Sequence, residues 1–288
     1  MGEDDSCARD SSDFKGRGIH IDTTLQLERL KTTRRAAVVE ATLCQYNFRS
    51  TSTYARHELN RAWLRDLAWL YATALTAKRL EDVYDAMLKS FGHQQASKNR
   101  LTRCLEIATA FLQTRPDSLT PDLEVLRLRE HLVYALTQSH TAWRRSVHHE
   151  FDGTGCIRAD EQPKRASNER IIFTLPQCRR NRINCKIHSF FEANRKCFEQ
   201  IAQKAEAMGD AASGQLRRAA EVIRSALNDA AGLCDDRRCA ELGDALIAID
   251  GMEVGCFGAN NDREWVPIAE ALERELVNPV RVQGGTAA

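Results

Sequence analysis

The sequence predicts an α/β fold in which helices flank a parallel sheet and a large all-helical insertion interrupts the chain. Three observations support this prediction. A strand, a helix and a second strand follow one another near the start, a long stretch then has only helical periodicity, and a strand and a helix return near the end. Both ends of the chain are therefore expected to contribute to one α/β core.

The composition is that of a globular protein. Of the 288 residues, 43% are hydrophobic and 28% are charged, which argues against disorder. No apolar run approaches the ~20 residues that cross a bilayer, and the first residues are acidic where a signal peptide would be basic and then apolar. We therefore expect a cytoplasmic protein that makes no membrane contact and keeps its ten cysteines reduced.

The first α/β unit is predicted from residue 18 onward. Residues 1–17 are rich in Asp and Ser and are expected to form a mobile acidic tail. GIHI then has the composition of a strand, and a helical pattern follows Asp22. NFRSTSTY is rich in Thr, Ser and aromatic residues, which predicts a second short strand.

Helical periodicity dominates the middle of the chain. Apolar residues recur at three- and four-residue spacing from Ala55 onward, and the stretch TAWRRSVHHEF is interpreted as the end of one amphipathic helix. FDGTGCIRADEQPKRASNER is predicted to be a loop, and IIFTLP a short strand. We assign residues 67–239 to the helical insertion.

The α/β pattern returns in the stretch GDALIAIDGMEVGCFGANNDREW. DALIAID is compatible with a helix, VGCFGAN with a strand, and REWVPIAEALEREL with a final helix. The predicted organisation is therefore a core of residues 18–66 and 240–279, the insertion between them, and a C-terminal tail of residues 280–288.

Polar residues follow the predicted strands or open the predicted helices of the core. Asp22 ends the first strand, Glu58 lies one helical turn after the second, Asp244 opens a helix, and Asn261 and Asp262 follow the last strand. Open parallel sheets bind ligands at this edge. Carboxylates that converge there repel one another unless a cation lies between them, and Mg²⁺ or Mn²⁺ prefers such oxygen ligands. A divalent-metal site is therefore predicted.

Four segments resemble, in order, the PIN domain, a family of metal-dependent nucleases. IHIDTTLQLERL is similar to the family's first strand with its Asp-Thr pair, and STSTYARHEL to the second strand with its acidic helix. GDALIAID and VGCFGANNDREWVPIAEAL are similar to the third acidic helix and to the late strand. The resemblance implies that Asp22, Glu58 and Asp244 are catalytic acids that bind Mg²⁺ or Mn²⁺, with Thr23 beside the first.

The fourth polar position depends on how the late strand is aligned. Trp265 matches the family's aromatic residue, which makes Asn261 the fourth catalytic residue, while Asn260 stands where the family often has Thr. Asp262 remains open as the residue that supplies the missing carboxylate to the metal.

The resemblance also implies an activity and its partners. The expected reaction is hydrolysis of phosphodiester bonds, most often in RNA, by an endoribonuclease in a toxin or defence setting that an inhibitory or regulatory protein restrains. Basic residues near the acids are expected to hold RNA phosphates, namely Arg29, Arg34, Arg35, Arg56 and Arg61. The segment from Pro163 to Gln200, with nine Lys or Arg against three Glu, extends this basic character.

Three alternatives stay open. Asp244 is also in the position of a helix N-cap. The amide of Asn261 and the missing Thr are compatible with a degenerate interaction module or nucleic-acid-binding module that keeps the fold without catalysis. A structural zinc site is compatible with the spacing of four cysteines near His188, namely Cys178, Cys185, Cys234 and Cys239, and would support a zinc-dependent nucleic-acid binder.

Overall fold

The core of the protein is a five-stranded parallel sheet. The computed structural model describes residues 18–29, 34–91, 98–114, 120–166 and 171–280. The strands are arranged in the order β3-β2-β1-β6-β7, and every neighbouring pair is parallel. Their bounds are β1 Gly18–Ile21, β2 Phe48–Ser52, β3 His149–Phe151, β6 Cys256–Gly258 and β7 Glu275–Val277.

The α/β class and three of these strands were predicted correctly, whereas β3 and β7 were not. The residues of β3 were expected to end a helix, but that helix stops at Arg145 and the chain turns to pair with β2. The residues of β7 were placed in the final helix, which ends at Ala271 instead. The helical segment therefore contributes an edge strand to the core.

Each face of the sheet is covered by helices. On one face, Ile19 and Ile21 of β1 pack with Cys256 against residues that include Val39 and Leu43. The helices on or near the sheet are α1 Thr23–Arg29, α2 Arg34–Leu43, α3 Thr53–Leu59, α12 Gly243–Asp250 and α13 Asp262–Ala271. On the opposite face Phe257 of β6 joins the larger core, as strand alternation requires.

The helical segment packs onto that larger core. A π-helical turn, Asn60–Leu64, links α3 to a first group of helices, α4 Arg65–Thr76, α5 Leu80–Phe91, α6 Lys98–Thr114 and α7 Pro121–Arg145. A second group consists of α8 Ile187–Ala193, α9 Arg195–Met208, α10 Gly214–Ala226 and α11 Asp236–Glu241. A two-stranded antiparallel ladder, β4 Lys164–Arg165 and β5 Ile171–Ile172, lies between the groups. β5 confirms the short strand predicted in IIFTLP, whereas the expectation of helices in the rest of this segment was wrong at β3 and β4.

Two other predictions concern the whole chain. Within the described ranges, no helix combines the length and apolarity that crossing a membrane requires. The predicted tails, residues 1–17 and all but the first residue of 280–288, lie outside the described residues.

Candidate active site

The strand order creates one crevice at the carboxyl edge of the sheet. From β1 the chain moves outward to β2 and β3, then crosses back to β6 and β7 on the other side of β1. The connections that follow β1 and β6 therefore lead away from each other. Open α/β sheets bind ligands at such a topological switch point, where the direction of strand addition reverses. Asp22 is the first residue after β1 and lies at this crevice, with its amide donating to the carbonyl of Gly258 at 2.9 Å.

Asp22 is held by the start of the helix that follows it. One carboxylate oxygen, Oδ2, accepts from the amide of Thr24 at 3.2 Å and from the Thr24 hydroxyl. The side chain is only 1% exposed, and its second oxygen, Oδ1, is buried without a hydrogen-bond partner among the described residues. Burying a carboxylate oxygen without a partner is unfavourable, which points to a ligand that would bind this oxygen.

Glu58 reaches the same place from α3. Ser52 caps this helix by accepting from the amide of Tyr54 at 3.0 Å. The Thr23 hydroxyl donates to Glu58 Oε2 at 2.7 Å, which ties the first two predicted acids together. Gly243 lies so close to the other oxygen, Oε1, that a Cβ at this position would clash with it. The Gly-Asp pair at the start of α12 is therefore explained by close approach, because Gly243 leaves space for Glu58.

Asp244 and Glu264 complete a group of four carboxylates, here called the acidic cluster and defined as Asp22, Glu58, Asp244 and Glu264. Gln215 of α10 donates to Asp244 Oδ2 at 3.0 Å. Glu264 of α13 is 7% exposed, and its Oε2 has no partner among the described residues.

The members of the acidic cluster act on one another electrostatically. Burial, and then the negative charge of Asp22, raise the pKa of Glu58 to about 7. Burial also raises the pKa of Asp22, against the opposing effect of its hydrogen bonds to Thr24. The pKa of Asp244 lies well above its ordinary value because of burial and then the charges of Asp22, Glu58 and Glu264. The four carboxylates therefore converge and resist simultaneous ionisation.

The acidic cluster fits a hard divalent cation by its chemistry. All donors are carboxylate oxygens, two of those oxygens are buried and unpartnered, and a cation would relieve the repulsion among the four. In the part of the chain that the structure describes, however, no three His, Cys, Asp or Glu side chains are arranged to hold a metal ion. Glu58 and Asp244 accept the bonds from Thr23 and Gln215 on one oxygen each, Oε2 and Oδ2, which leaves their other carboxylate oxygens for an ion.

The two residues predicted for the fourth position lie elsewhere. The Asn261 side chain is exposed at the N-cap of α13 and makes no side-chain capping bond. Asp262 Oδ1 accepts from Asn278 at 2.8 Å, beside β7. The structure brings Glu264 to Asp244 instead. Asp22, Glu58 and Asp244 are thus brought together as predicted, and Asn261 and Asp262 are not brought into that group.

Two of the predicted RNA-binding arginines form ion pairs within the protein. The side chains of Arg29 and Arg56 are 6% and 4% exposed and pair with acids of the protein itself, Arg29 with Glu40 at 2.6 Å and Arg56 with Glu150 at 2.8 Å. These guanidinium groups are engaged within the fold, which argues against the RNA contacts predicted for them.

The remaining predicted arginines differ in position. Arg35 is exposed and lies 3.9 Å from Glu28, and the side chain of Arg34 lies outside the described residues. Arg61 is half-buried in the π-helical turn, and its charge acts on Glu58, lowering the pKa of that carboxyl against the effect of burial. Of the five predicted arginines, Arg61 has the strongest link to the site.

The predicted zinc ligands do not form a closed site. All four cysteines are buried, but Cys234 lies 3.8 Å from His188, whereas Cys239 contacts the Tyr54 hydroxyl at 3.2 Å. Burial raises the pKa of Cys178 to about 12 and that of Cys239 well above its ordinary value, and Cys156, Cys178 and Cys185 lie close enough to Cys239 to raise it further. No metal-binding group is found among the described cysteines, Cys185 included.

Comparison with protein-family models, with curated proteins and with solved structures found no match for this chain. The geometry of the acidic cluster is therefore the basis on which a function can be proposed.

Proposed function

We propose that this protein is a Mg²⁺- or Mn²⁺-dependent nuclease that hydrolyses phosphodiester bonds at the acidic cluster, with RNA as its substrate. One observation carries the proposal. Four carboxylates from separate parts of the chain meet at the switch point of a parallel sheet, and two of their buried oxygens have no partner among the described residues. A toxin or defence role with a restraining protein partner is part of the same proposal and depends on the resemblance to PIN domains.

Each residue has a distinct part in the proposed reaction. Asp22, at the centre of the cluster, and Glu58, Asp244 and Glu264 around it would hold the cation, which when bound supplies charge neutralisation and a more acidic water. Thr23 keeps the Glu58 carboxylate in its present orientation. Gln215 does the same for Asp244.

The neighbouring basic group favours a phosphate at the same place. Arg61 lies three residues after Glu58, and its positive charge reaches that carboxylate. A guanidinium at this position can bind a phosphate oxygen and stabilise negative charge that develops during displacement. Acids that hold a cation next to an arginine that holds phosphate favour phosphodiester hydrolysis over simple metal storage.

The first test is RNA cleavage by wild type and by Asp22→Asn. We expect wild type to cut RNA in Mg²⁺ or Mn²⁺ and the variant to cut at least about 100-fold more slowly, because the central anionic ligand is lost. Gel electrophoresis of end-labelled RNA measures both rates, with circular dichroism to confirm folding. Equal rates for the two proteins would refute the assignment of the site.

A second prediction separates the two candidates for the fourth acid. Glu264→Gln is expected to reduce cleavage at least about tenfold because it removes a buried charge from the cluster, whereas Asn261→Ala should leave the rate within about twofold. The same gel assay gives both values. Loss of activity in Asn261→Ala with full activity in Glu264→Gln would restore the alignment that the sequence favoured.

A catalytically degenerate scaffold is the second candidate. It is favoured by the absence of a preformed group of three metal ligands among the described residues, and by the bonds that Glu58 and Asp244 already make within the protein. Such a scaffold would not be stabilised by Mn²⁺, whereas a nuclease would be. Thermal melting with and without the ion therefore distinguishes the two.

A further inference from the structure

Two adjoining cavities lie beside the acidic cluster. The nearer has a volume of about 470 Å³ and is lined by Arg61, Arg65, Arg158 and Arg237 together with Phe173 and Leu175. The farther has a volume of about 620 Å³ and adds Arg179, Arg218 and Arg238. Arg237 and Glu241 of α11 line both, so the two cavities form one continuous depression, which we name the arginine groove.

The lining of the arginine groove is connected to the acidic cluster at two points. Arg61 lines the groove, and the charge of the same side chain acts on Glu58. Glu241, which also lines the groove, lies two residues before Gly243, whose backbone is packed against the Glu58 carboxylate. The groove therefore lies in the neighbourhood of the cluster.

The near end of the groove carries a positive excess. Arg65 lies 3.9 Å from Asp66, but that fully buried carboxylate already pairs with Arg100 at 2.6 Å and Arg103 at 2.8 Å. Three arginines thus share the negative charge of one carboxylate, Asp66. Burial lowers the pKa of Arg65, and the charges of Arg100, Arg103 and Arg61 lower it further.

Other arginines of the groove differ in how far they are neutralised. Arg158, Arg179 and Arg218 each pair with an acid of the protein. Within the described ranges, Arg61, Arg237 and Arg238 form no ion pair. Arg61, Arg65 and Arg237 are therefore the members of the nearer cavity best able to bind phosphates.

An apolar wall faces these charges. Phe173 and Leu175 are half-buried and line the same cavity as Arg61 and Arg237. Phosphates along a basic path and bases against apolar or aromatic side chains are the features by which proteins hold single strands. A duplex keeps its bases stacked inside and would leave this wall without a partner.

We infer that the arginine groove is a binding site for the single-stranded part of a nucleic acid, several nucleotides away from the bond that is cut. The inference rests on the proposed nuclease function and deepens it. Arg65 and Arg237 hold backbone phosphates, and Phe173 with Leu175 contacts a base. Besides Arg61 and Arg65, the site is built by α11 and by Arg158, Phe173 and Leu175, and most of these residues lie within the segment predicted to be an insertion.

The test is binding of a fluorescein-labelled oligouridylate of about 12 nucleotides to full-length protein in EDTA, where no metal-dependent cleavage occurs. The variant carries Arg65→Ala and Arg237→Ala. Its control carries Arg127→Ala and Arg195→Ala, which removes the same charge from exposed helix positions that do not line the groove. Fluorescence anisotropy across a salt series gives the dissociation constants, and thermal melting confirms that both variants fold.

We expect the groove variant to bind at least about tenfold more weakly, with the slope of log K against log salt reduced by about 1.4, and the control to resemble wild type. Equal losses in the two variants, or no loss in either, would overturn the inference. Equal competition by polyglutamate and by unlabelled oligonucleotide would also overturn it, in favour of an acidic protein partner.

The binding and cleavage experiments together distinguish a failure of the groove inference from a failure of the proposed nuclease function. If wild type cuts RNA but the groove variant binds normally, the nuclease proposal stands and the groove inference fails. If binding depends on Arg65 and Arg237 but no divalent ion supports cleavage, the groove inference stands and the nuclease proposal fails.

Discussion

Asp244→Asn is expected to make the metal-free protein more stable while abolishing cleavage. At about pH 8 an unfolded aspartate is ionised, so folding must either bury the charge of Asp244 near Asp22, Glu58 and Glu264 or bind a proton there. An amide requires neither, and its oxygen can still accept the bond from Gln215. Removal of this cost should be worth about 1–3 kcal/mol, or roughly 2–5 °C in melting temperature. Melting in EDTA at about pH 8 and RNA cleavage in Mn²⁺ measure the two effects.

Asp262→Asn is the matched control for this experiment. Asp262 is an acid at the start of α13 that is held by Asn278 and is not among the charges that raise the pKa of Asp244. Its replacement should change the melting temperature little and leave cleavage intact. A lower melting temperature for Asp244→Asn in EDTA, or cleavage at the wild-type rate, would show that Asp244 is a structural residue such as the N-cap considered from the sequence.

The acidic cluster is expected to make the metal-free protein less stable as pH rises from about 6.5 to 8. An unfolded glutamate is already ionised in this range, whereas Glu58 in the folded protein, with a pKa of about 7, still binds a proton at its lower end, and the pKa of Asp244 is raised in the same direction. The folded state therefore binds more protons, and its stability falls as pH rises to the raised pKa values. Within this range Glu58 alone accounts for roughly 1 kcal/mol, because its pKa lies near the lower limit and one pKa unit corresponds to about 1.4 kcal/mol.

The buried histidines oppose this loss at the lower end of the range. Burial lowers the pKa of both His20 and His57 to about 3, that of His140 to about 4, and also that of His131. Unfolded histidine is still half protonated at about pH 6.5, so these groups continue to favour the folded state up to about pH 7.5. Above about pH 7.5 they are neutral in both states, and the acidic cluster then determines the slope.

Mn²⁺ should reverse this dependence. An ion needs deprotonated carboxylates, so the rise in melting temperature that Mn²⁺ produces should be larger at about pH 8 than at about pH 6. Thermal melts in EDTA and in Mn²⁺ across this range give both curves. No Mn²⁺ effect at any pH would favour the degenerate scaffold.

Three acids could be predicted from the sequence because local patterns determine where they lie. Asp22 follows a buried strand directly, and Glu58 follows β2 by about two helical turns of α3. Asp244 opens an apolar helix. Their meeting at one sheet edge follows from parallel pairing, which the alternation of strand and helix indicates.

Glu264 and Gln215 could not be predicted in the same way. Glu264 is adjacent to Trp265, and only the packing of α13 decides that its carboxylate turns toward Asp244. Gln215 lies on a helix from the segment predicted to be an insertion, with no local signal of a role. The one hint in the sequence was that Glu264 lies in the same short polar segment as Asn261 and Asp262.

Tertiary partners explain the other errors. Arg56 looked like a free basic group on a helix, but its acids, Glu150 and Asp160, lie about a hundred residues away in sequence. The strand His149–Phe151 is only three residues long and follows a 25-residue helix, so periodicity could not reveal it. Pairing with β2, not local propensity, determines its conformation.

The central position of β1 has a consequence for the nascent chain. Asp22 and Glu58 leave the ribosome about two hundred residues before Asp244 and Glu264, and β1 has an open edge until β6 is made and pairs with it. Such non-local pairing forms late in folding. A site divided in this way is complete only after most of the chain has been synthesised. If the chain is the nuclease proposed above, each copy would acquire its activity only at the end of its own synthesis.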